Sequence, residues 1–447
     1  MTATTAAATT TATTTACAPA LPAMSRVGLF RRPSWVVAGA VVSIGLPPGS
    51  EVLGDGMQVT VGDAAGFVVV LVAAALVVAG RARMPRAALV AFGPVVVGLG
   101  ISTVCSVDVA SSVTGFVRNV QIFVLVPLAV VLLVRDRCDF AIVCSAVLAF
   151  GFWEAGYGIW QSVSGNGASM GGAYIRAVGT FGATNVMAMS VVVGVAFLVL
   201  MSFALFAFRR GVVAVVAVLG GLGVLGLALA LSLSRGTWIA LGAAGVLVLV
   251  LFDRWTAVKV LVCCAALGVV AVVGVGAGGG GQAVVERSRS MVGSVSSPDR
   301  SVDDRYNLWA AAVRIWEDHP GVGVGVKNFP AFRDAYSGIE LSSGSETDDP
   351  VHGYVRQPLM SPHNQYLLFL AEQGVVGLAG LLGLLGVIVA GLWRRRAVRD
   401  PFWLASVGLV TFLLVNFLYA DLGGPTCALT AIVLGVVASR AFGAVRE

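Results

Sequence analysis

Charge is scarce in this chain: Asp, Glu, Lys and Arg make up 12% of its 447 residues, about half the share usual in a soluble domain. Only three histidines are present, and two of the 29 cationic residues are lysine. So little charge cannot clothe a water-facing surface, and a mean hydropathy of +0.91 calls for many membrane-spanning helices. The seven cysteines (17, 105, 138, 144, 263, 264 and 427) form no CxxC pair and no metal-ligand spacing, which argues against a disulfide framework. The formal charge of +6 is dispersed among apolar segments and builds no aromatic-interleaved basic surface, so no nucleic-acid partner is expected. The first 23 residues are a Thr/Ala tract without a basic or an apolar region of the signal-peptide kind. They read as a disordered cytoplasmic tail.

What the chain has in abundance is apolar runs. Stretches of about 17–23 residues fall near 34–48, 63–80, 87–104, 113–134, 138–160, 185–207, 211–231, 236–252, 257–278, 363–392, 401–419 and 422–440. An all-α membrane protein of twelve spans is expected, with a tail over 1–33, spans one to nine over 34–278, a loop over 279–362 and the last three spans over 363–447. Placing the N-terminus inside puts 18 of the 29 cations in cytoplasmic segments, with at least two in every internal cytoplasmic loop. Only Arg176 and Arg235 occupy short outside loops, the asymmetry that orients membrane proteins. Both termini are therefore expected in the cytoplasm and the long loop outside. That loop holds eight cations against eleven carboxylates. Its Gly278–Gly281 opening reads as a flexible exit. From Asp303 to Glu317, Leu308, Ala312, Ile315 and Trp309, Val313, Trp316 recur at helical spacing, predicting an amphipathic helix on the membrane surface or over a cavity. His319 to Gly325 reads as a turn-rich arm and Ser337 to Val351 as mobile.

His363-Asn364, nine further residues and then Gly374-Val375-Val376-Gly377 stand where this loop re-enters the membrane, with Glu372 inside the run. A histidine at that boundary can take or give a proton near neutral pH. Asn364 suits a helix cap, and the glycines suit close packing against a neighbour. Arg235 lies in Leu233-Ser234-Arg235-Gly236-Thr237-Trp238, a tight outside turn, where it reads as an anion ligand or as a snorkelling interface residue. Arg176 opens Arg176-Ala177-Val178-Gly179-Thr180-Phe181, with Asn185 beyond it. Arg118 and Glu154 lie shallowly inside spans four and five, where functional and snorkelling readings stay open. Arg305, one turn before Trp309, suits a phosphate, a sugar or a salt bridge to Asp303 or Asp304. His319 and His352 read as solvated loop residues. The pairs Asp303-Asp304 and Asp348-Asp349 read as solvated charge rather than Mg²⁺ or Ca²⁺ ligands.

The His363 run resembles the H[NSQ]-x9-G-x-x-G signature of the O-antigen ligase and polymerase family, membrane enzymes that transfer glycans from polyprenyl-diphosphate carriers. The Arg235 turn is similar to the family's S-R-G-x-W/L run, and the Arg176 segment to its R-x-x-G-T-F…N element, with Ala183-Thr184-Asn185 where Pro-Asn is more usual. Arg305–Trp309 and Pro320–Gly325 resemble its R-x-x-x-W and P-x-x-G-x-G elements. The resemblance covers roughly residues 170–380. It implies a GT-C-like helical fold in a bacterial plasma membrane, without metal or other cofactor. The implied partners are a polyprenyl-diphosphate-linked glycan donor and an acceptor glycan or lipid, with ligase and polymerase differing in the acceptor. It implies His363 and Arg235 as catalytic and Arg176, Arg118 and Arg305 as diphosphate-binding. Asn364, Glu372, Gly374 and Gly377 would support them, Glu372 by holding the histidine or a sugar. A twelve-span transporter fits less well, because its long loop would be cytoplasmic between two six-span halves.

Overall fold

Apolar runs in hydrocarbon must pair every backbone N–H and C=O within themselves, which a helix does and an open strand does not. The computed structural model describes residues 32–46, 52–53, 57–58, 60–168, 176–182, 185–207, 211–275, 300–337, 345–349, 353–357 and 359–443. Contacts divide the chain into residues 1–32 and 33–447; the tail expected at the start lies outside the described residues up to 31, as does His352.

The helices in chain order are α1 (Ser34–Ser43), α2 (Val61–Val78), α3 (Arg86–Val104), α4 (Val109–Leu133), α5 (Arg137–Ser164), α6 (Ala188–Ala207), α7 (Val212–Leu231) and α8 (Arg235–Phe252). They continue with α9 (Arg254–Val275), α10 (Arg300–Asp318), α11 (Phe329–Tyr336), α12 (Gln365–Arg394), α13 (Pro401–Asn416) and α14 (Thr426–Ala441). Among the described residues eight helices, α2 to α8 and α12, are long and apolar enough to cross a membrane. The other stretches expected to span are the shorter apolar α1, α13 and α14 and the 22-residue α9.

Two short antiparallel ribbons break the helical pattern, β1 (Val52–Leu53) with β2 (Met57–Gln58) and β3 (Ser345–Asp349) with β4 (Gly353–Gln357). Ser345 lies opposite Gln357 and Asp349 opposite Gly353, so part of the segment expected to be mobile, Asp348-Asp349 included, is paired strand. The amphipathic helix expected in the loop is α10. Its Leu308, Ala312 and Ile315 are fully buried with Val324, Phe329 and Ala371.

Small residues let α3 and α12 approach closely. A Cβ on Gly98 of α3 would press on the Gly377 backbone of α12, and one on Gly380 would meet the Pro94 carbonyl, the close approach that membrane helices use in place of a hydrophobic drive. Helix α4 carries a π-helical turn at Gln121–Leu125, where Phe123 packs edge-to-face on Phe369 of α12 at 5.3 Å. At the end of the bundle formed by the start of α5, the start of α13 and the finish of α14, Asp400 pairs with Arg440 at 2.7 Å and Arg137 at 3.4 Å. Most of the sequence motifs meet at the opposite end.

Candidate active site

The turn Phe417-Leu418-Tyr419-Ala420-Asp421-Leu422-Gly423-Gly424, between α13 and α14, is where the motifs converge. Gln365 straps it to the start of α12: its backbone N–H donates to the Phe417 carbonyl (2.8 Å) and its side-chain oxygen accepts from the Leu422 N–H (2.8 Å). Arg305 of α10 donates to the Tyr419 carbonyl at 3.2 Å. Gly236 lies so close that a Cβ there would run into Tyr419, and a Cβ on Gly424 would collide with the Asn185 amide.

His363 sits against this turn with Nδ1 3.2 Å from Asp421 Oδ1. Its side chain is 36% exposed and that of Asp421 16%, so the histidine is reachable while its partner is mostly shielded. Burial pushes the Asp421 carboxyl up, but bonds from His363 and Ser361 and the attraction of His363 outweigh it and hold the group below its ordinary value. His363 has a φ of +49°, left-handed backbone that costs a non-glycine residue free energy and that surrounding structure must impose. Two neighbours impose it. Asn364 caps α12 by accepting from the Tyr366 and Leu367 N–H groups at 3.0 and 3.1 Å, and Trp309 of α10 donates its indole N–H to the Pro362 carbonyl at 2.8 Å.

The Arg235 turn is fixed from both sides. Leu233 has a φ of +52°, and the hydroxyls of Ser234, Thr237 and Ser190 form a chain with 2.9 Å links that ties the start of α8 to α6. Arg176, 7% exposed, aims Nε and an Nη at the Ser232 carbonyl (3.1 and 3.0 Å), and the Ala177 N–H donates to Leu231 O (3.0 Å). The guanidinium expected to grip diphosphate thus braces the carbonyl end of α7, three residues before Arg235. Glu154, fully buried on α5, accepts from the Thr180 hydroxyl (2.6 Å) and N–H (3.0 Å). Gln161 accepts from the Val178 and Gly179 N–H groups. Together these bonds hold the Gly179-Thr180-Phe181 turn, a 3₁₀ turn, and leave Glu154 a local structural partner rather than a snorkelling charge.

Arg118 pairs with Asp63 at 3.5 Å and reaches Cys427 Sγ at 3.5 Å. Asp63 itself closes a capping box with Thr60 at the start of α2. Cys427 opens α14 six residues beyond Asp421, so Arg118 stands just past the same turn. Glu372 is placed differently from expectation. Its carboxylate accepts from the Phe329 N–H at 3.2 Å, and the residue that faces Nδ1 of His363 is Asp421. Gly374 breaks α12 with φ 62° and ψ −162°. His319 packs edge-to-face on Phe332 at 5.9 Å and is half-buried, away from the role of a free solvated side chain.

The structure brings together His363, Asn364 and Arg305 around one turn, with the Arg235 turn beside it and Arg118 at its border. Reading the sequence missed Asp421, Gln365 and Asp63. Asp421 carried one faint signal, an acidic residue in the brief polar gap between two apolar runs; Gln365 and Asp63 carried none beyond their helix starts.

Residues 221–382 match the family model described as O-antigen ligase. No curated protein matches the chain. The matched region holds Arg235, Arg305, the 320–325 arm and the whole His363–Gly377 run, and it leaves Arg118, Arg176 and Asp421 outside.

Proposed function

Because residues 221–382 of this multi-pass membrane protein match the O-antigen ligase family model, we propose that it transfers a glycan from a polyprenyl-diphosphate carrier to an acceptor glycan or lipid at the exoplasmic face. In this reading the bacterial plasma membrane is crossed twelve times, both termini are cytoplasmic, and the fold is of the GT-C kind. The pair His363–Asp421 beside the Arg235 turn is the observation that supports the reading most.

With Nδ1–H donated to Asp421, His363 keeps Nε2 as a base, the arrangement by which a carboxylate fixes a catalytic imidazole tautomer. The acceptor hydroxyl oxygen attacks the anomeric carbon and its proton passes to Nε2. The bond from that carbon to the diphosphate oxygen breaks, and the diphosphate leaves with the electron pair. Arg235 takes up the developing charge, since a guanidinium fork bonds two phosphate oxygens at once and stays protonated. Donors fixed in a water-poor site stabilise such charge strongly. Arg305 and Arg118 flank the turn and add positive charge. Arg176 acts on the diphosphate through the Ser232–Arg235 turn that it braces. Asn364, Gly374 and Gly377 keep α12 starting and bending where His363 needs it.

The test is a deletion strain whose lipid-linked and cell-surface glycans are compared with the parent. Loss of surface glycan with accumulation of carrier-bound polymer is the expected result. Accumulation of single carrier-bound repeats would make the chain a polymerase, and unchanged pools in both fractions would overturn glycan transfer.

A further inference from the structure

Two glycine-rich segments some fifty residues apart in sequence close on each other like one joint. The break at Gly374 frees carbonyls and N–H groups of α12 from its ladder, and the 320–325 arm supplies partners for them. Val324 N–H donates to Ala371 O (3.1 Å), Gly325 N–H to Glu372 O (2.8 Å), Val375 N–H to Pro320 O (3.0 Å) and Val376 N–H to Gly321 O (3.2 Å). The fit leaves no room for side chains: a Cβ on Gly323 would strike the Glu372 backbone, and one on Gly374 the Gly321 carbonyl. Ser102 of α3 adds a hydrogen bond to Glu372 O at 2.8 Å.

Beyond the joint the chain bends at Lys327, whose φ is +66°, a left-handed conformation that a non-glycine residue holds only under external support. Glu372, 5% exposed, gives that support from two residues on, its carboxylate accepting from the backbone N–H of Phe329 at 3.2 Å. Asn328, inside the bend, donates to Ser106 Oγ (2.6 Å) and Val324 O (2.9 Å). The bend leads into the buried cluster of Val324, Phe329 and Ala371 under Leu308, Ala312 and Ile315 of α10. The neighbouring side of α10 carries Arg305 and Trp309, the two residues bonded to Tyr419 O and Pro362 O around His363.

We infer that Glu372 is a positioning residue for the transfer reaction, a latch that fixes the Lys327–Phe329 bend on the broken α12 and so holds α10, with Arg305 and Trp309, over His363 and Asp421. The inference rests on the proposed glycan transfer for its readout. What Glu372 supplies is an acceptor oxygen at the right reach rather than a charge or a proton. Glutamine keeps that oxygen at that length; aspartate keeps the charge but falls one methylene short.

The experiment complements the deletion strain with full-length Glu372→Gln, Glu372→Asp and Glu372→Ala, and follows surface glycan together with amide hydrogen exchange of the purified proteins. Glu372→Gln is expected to transfer at close to the wild-type level, while the Asp and Ala variants lose about 10- to 100-fold, the usual consequence of stranding buried N–H donors. Exchange should rise over 324–329 in those two variants and stay unchanged in α6 and α14. Asn328→Ala, which loosens the same bend from the other side, should show the same exchange signature. Adding Glu372→Ala to Arg305→Ala should cost little more than Arg305→Ala alone, because both act through α10. The latch is overturned if Glu372→Asp works and Glu372→Gln does not, since charge would then be the requirement. It is also overturned if Glu372→Ala loses transfer with exchange over 324–329 unmoved. Failure of the wild-type gene to restore any glycan would instead count against the transfer reading itself.

Discussion

At the scale of single residues, His363 shows how a side chain becomes a base through what surrounds it. Its backbone is held left-handed at φ +49°, Trp309 pins the preceding carbonyl, Asn364 starts a helix directly after it, and Asp421 takes Nδ1. His363→Ala is expected to lower transfer by about 10²–10⁴-fold, the range of a positioned proton-transfer group, with the protein still folded. Asp421→Asn should cost about a hundredfold, the low end of the same range, because an amide no longer selects the tautomer. Single-turnover assays on purified variants check both; wild-type rates in His363→Ala would end its catalytic role. The sign of the pH response follows from Asp421. A carboxyl held below its ordinary value stabilises the fold above its unfolded value of about 3.9, and that contribution is lost as pH falls through the lower folded value. Asp421 therefore stays an anion throughout pH 5–8, so a loss of activity within that window has an origin other than its protonation. Asp421→Asn should abolish the part of acid destabilisation seen below about pH 4 that this carboxylate causes.

At the scale of elements, α12 does two jobs that pull against each other. Its first turn must present His363 to water, and its later turns must pack into α3 through Gly377 and Gly380. The break at Gly374 lets one helix do both, at the cost of backbone groups that the 320–325 arm then satisfies. Gly374→Ala and Gly323→Ala should each destabilise by about 1–3 kcal/mol or more, since both glycines have positive φ and meet backbone where a methyl would go. Gly383→Ala and Gly386→Ala are the controls in the same helix: nothing lies where their methyls would go, and alanine is the better helix former. Thermal unfolding in detergent separates the two pairs. Equal losses in all four would mean that the break is not what makes Gly374 and Gly323 special.

At the scale of the molecule, the two ends of the bundle differ in chemistry. One end gathers ion pairs of Arg137 and Arg440 with Asp400. The other gathers His363, Asp421 and the turns carrying Arg176 and Arg235. The orientation expected from cation bias puts the second end outside. In a cysteine-depleted background, an impermeant maleimide applied to intact cells should label a cysteine at Glu317, exposed on α10, and should label one at Arg396, exposed beyond α12, only after permeabilisation. Labelling of Arg396→Cys in intact cells would place the candidate site on the wrong face for an outward-flipped donor.

The sequence by itself determined the helices, because hydrocarbon length and cation bias act on each apolar run locally and need no partner. It also marked His363, Asn364, Arg235 and Arg305, since a polar residue at the edge of an apolar run stands out by composition alone. Only the tertiary structure decided what those residues do to one another. Asp421 is fifty-eight positions from His363, and no periodicity within either segment links them; the turn between α13 and α14 does. Arg176, expected at the diphosphate, bonds the Ser232 carbonyl, and Glu372, expected to hold the histidine or a sugar, accepts from the Phe329 N–H; neither partner can be read from a linear pattern. The P-x-x-G-x-G and G-x-x-G glycines read separately as turn and packing residues, yet Gly323 and Gly374 are each small because the other segment's backbone occupies the space. Steric exclusion and hydrogen bonding between distant segments are properties of the folded arrangement, and a linear pattern records only the residue types that survive them.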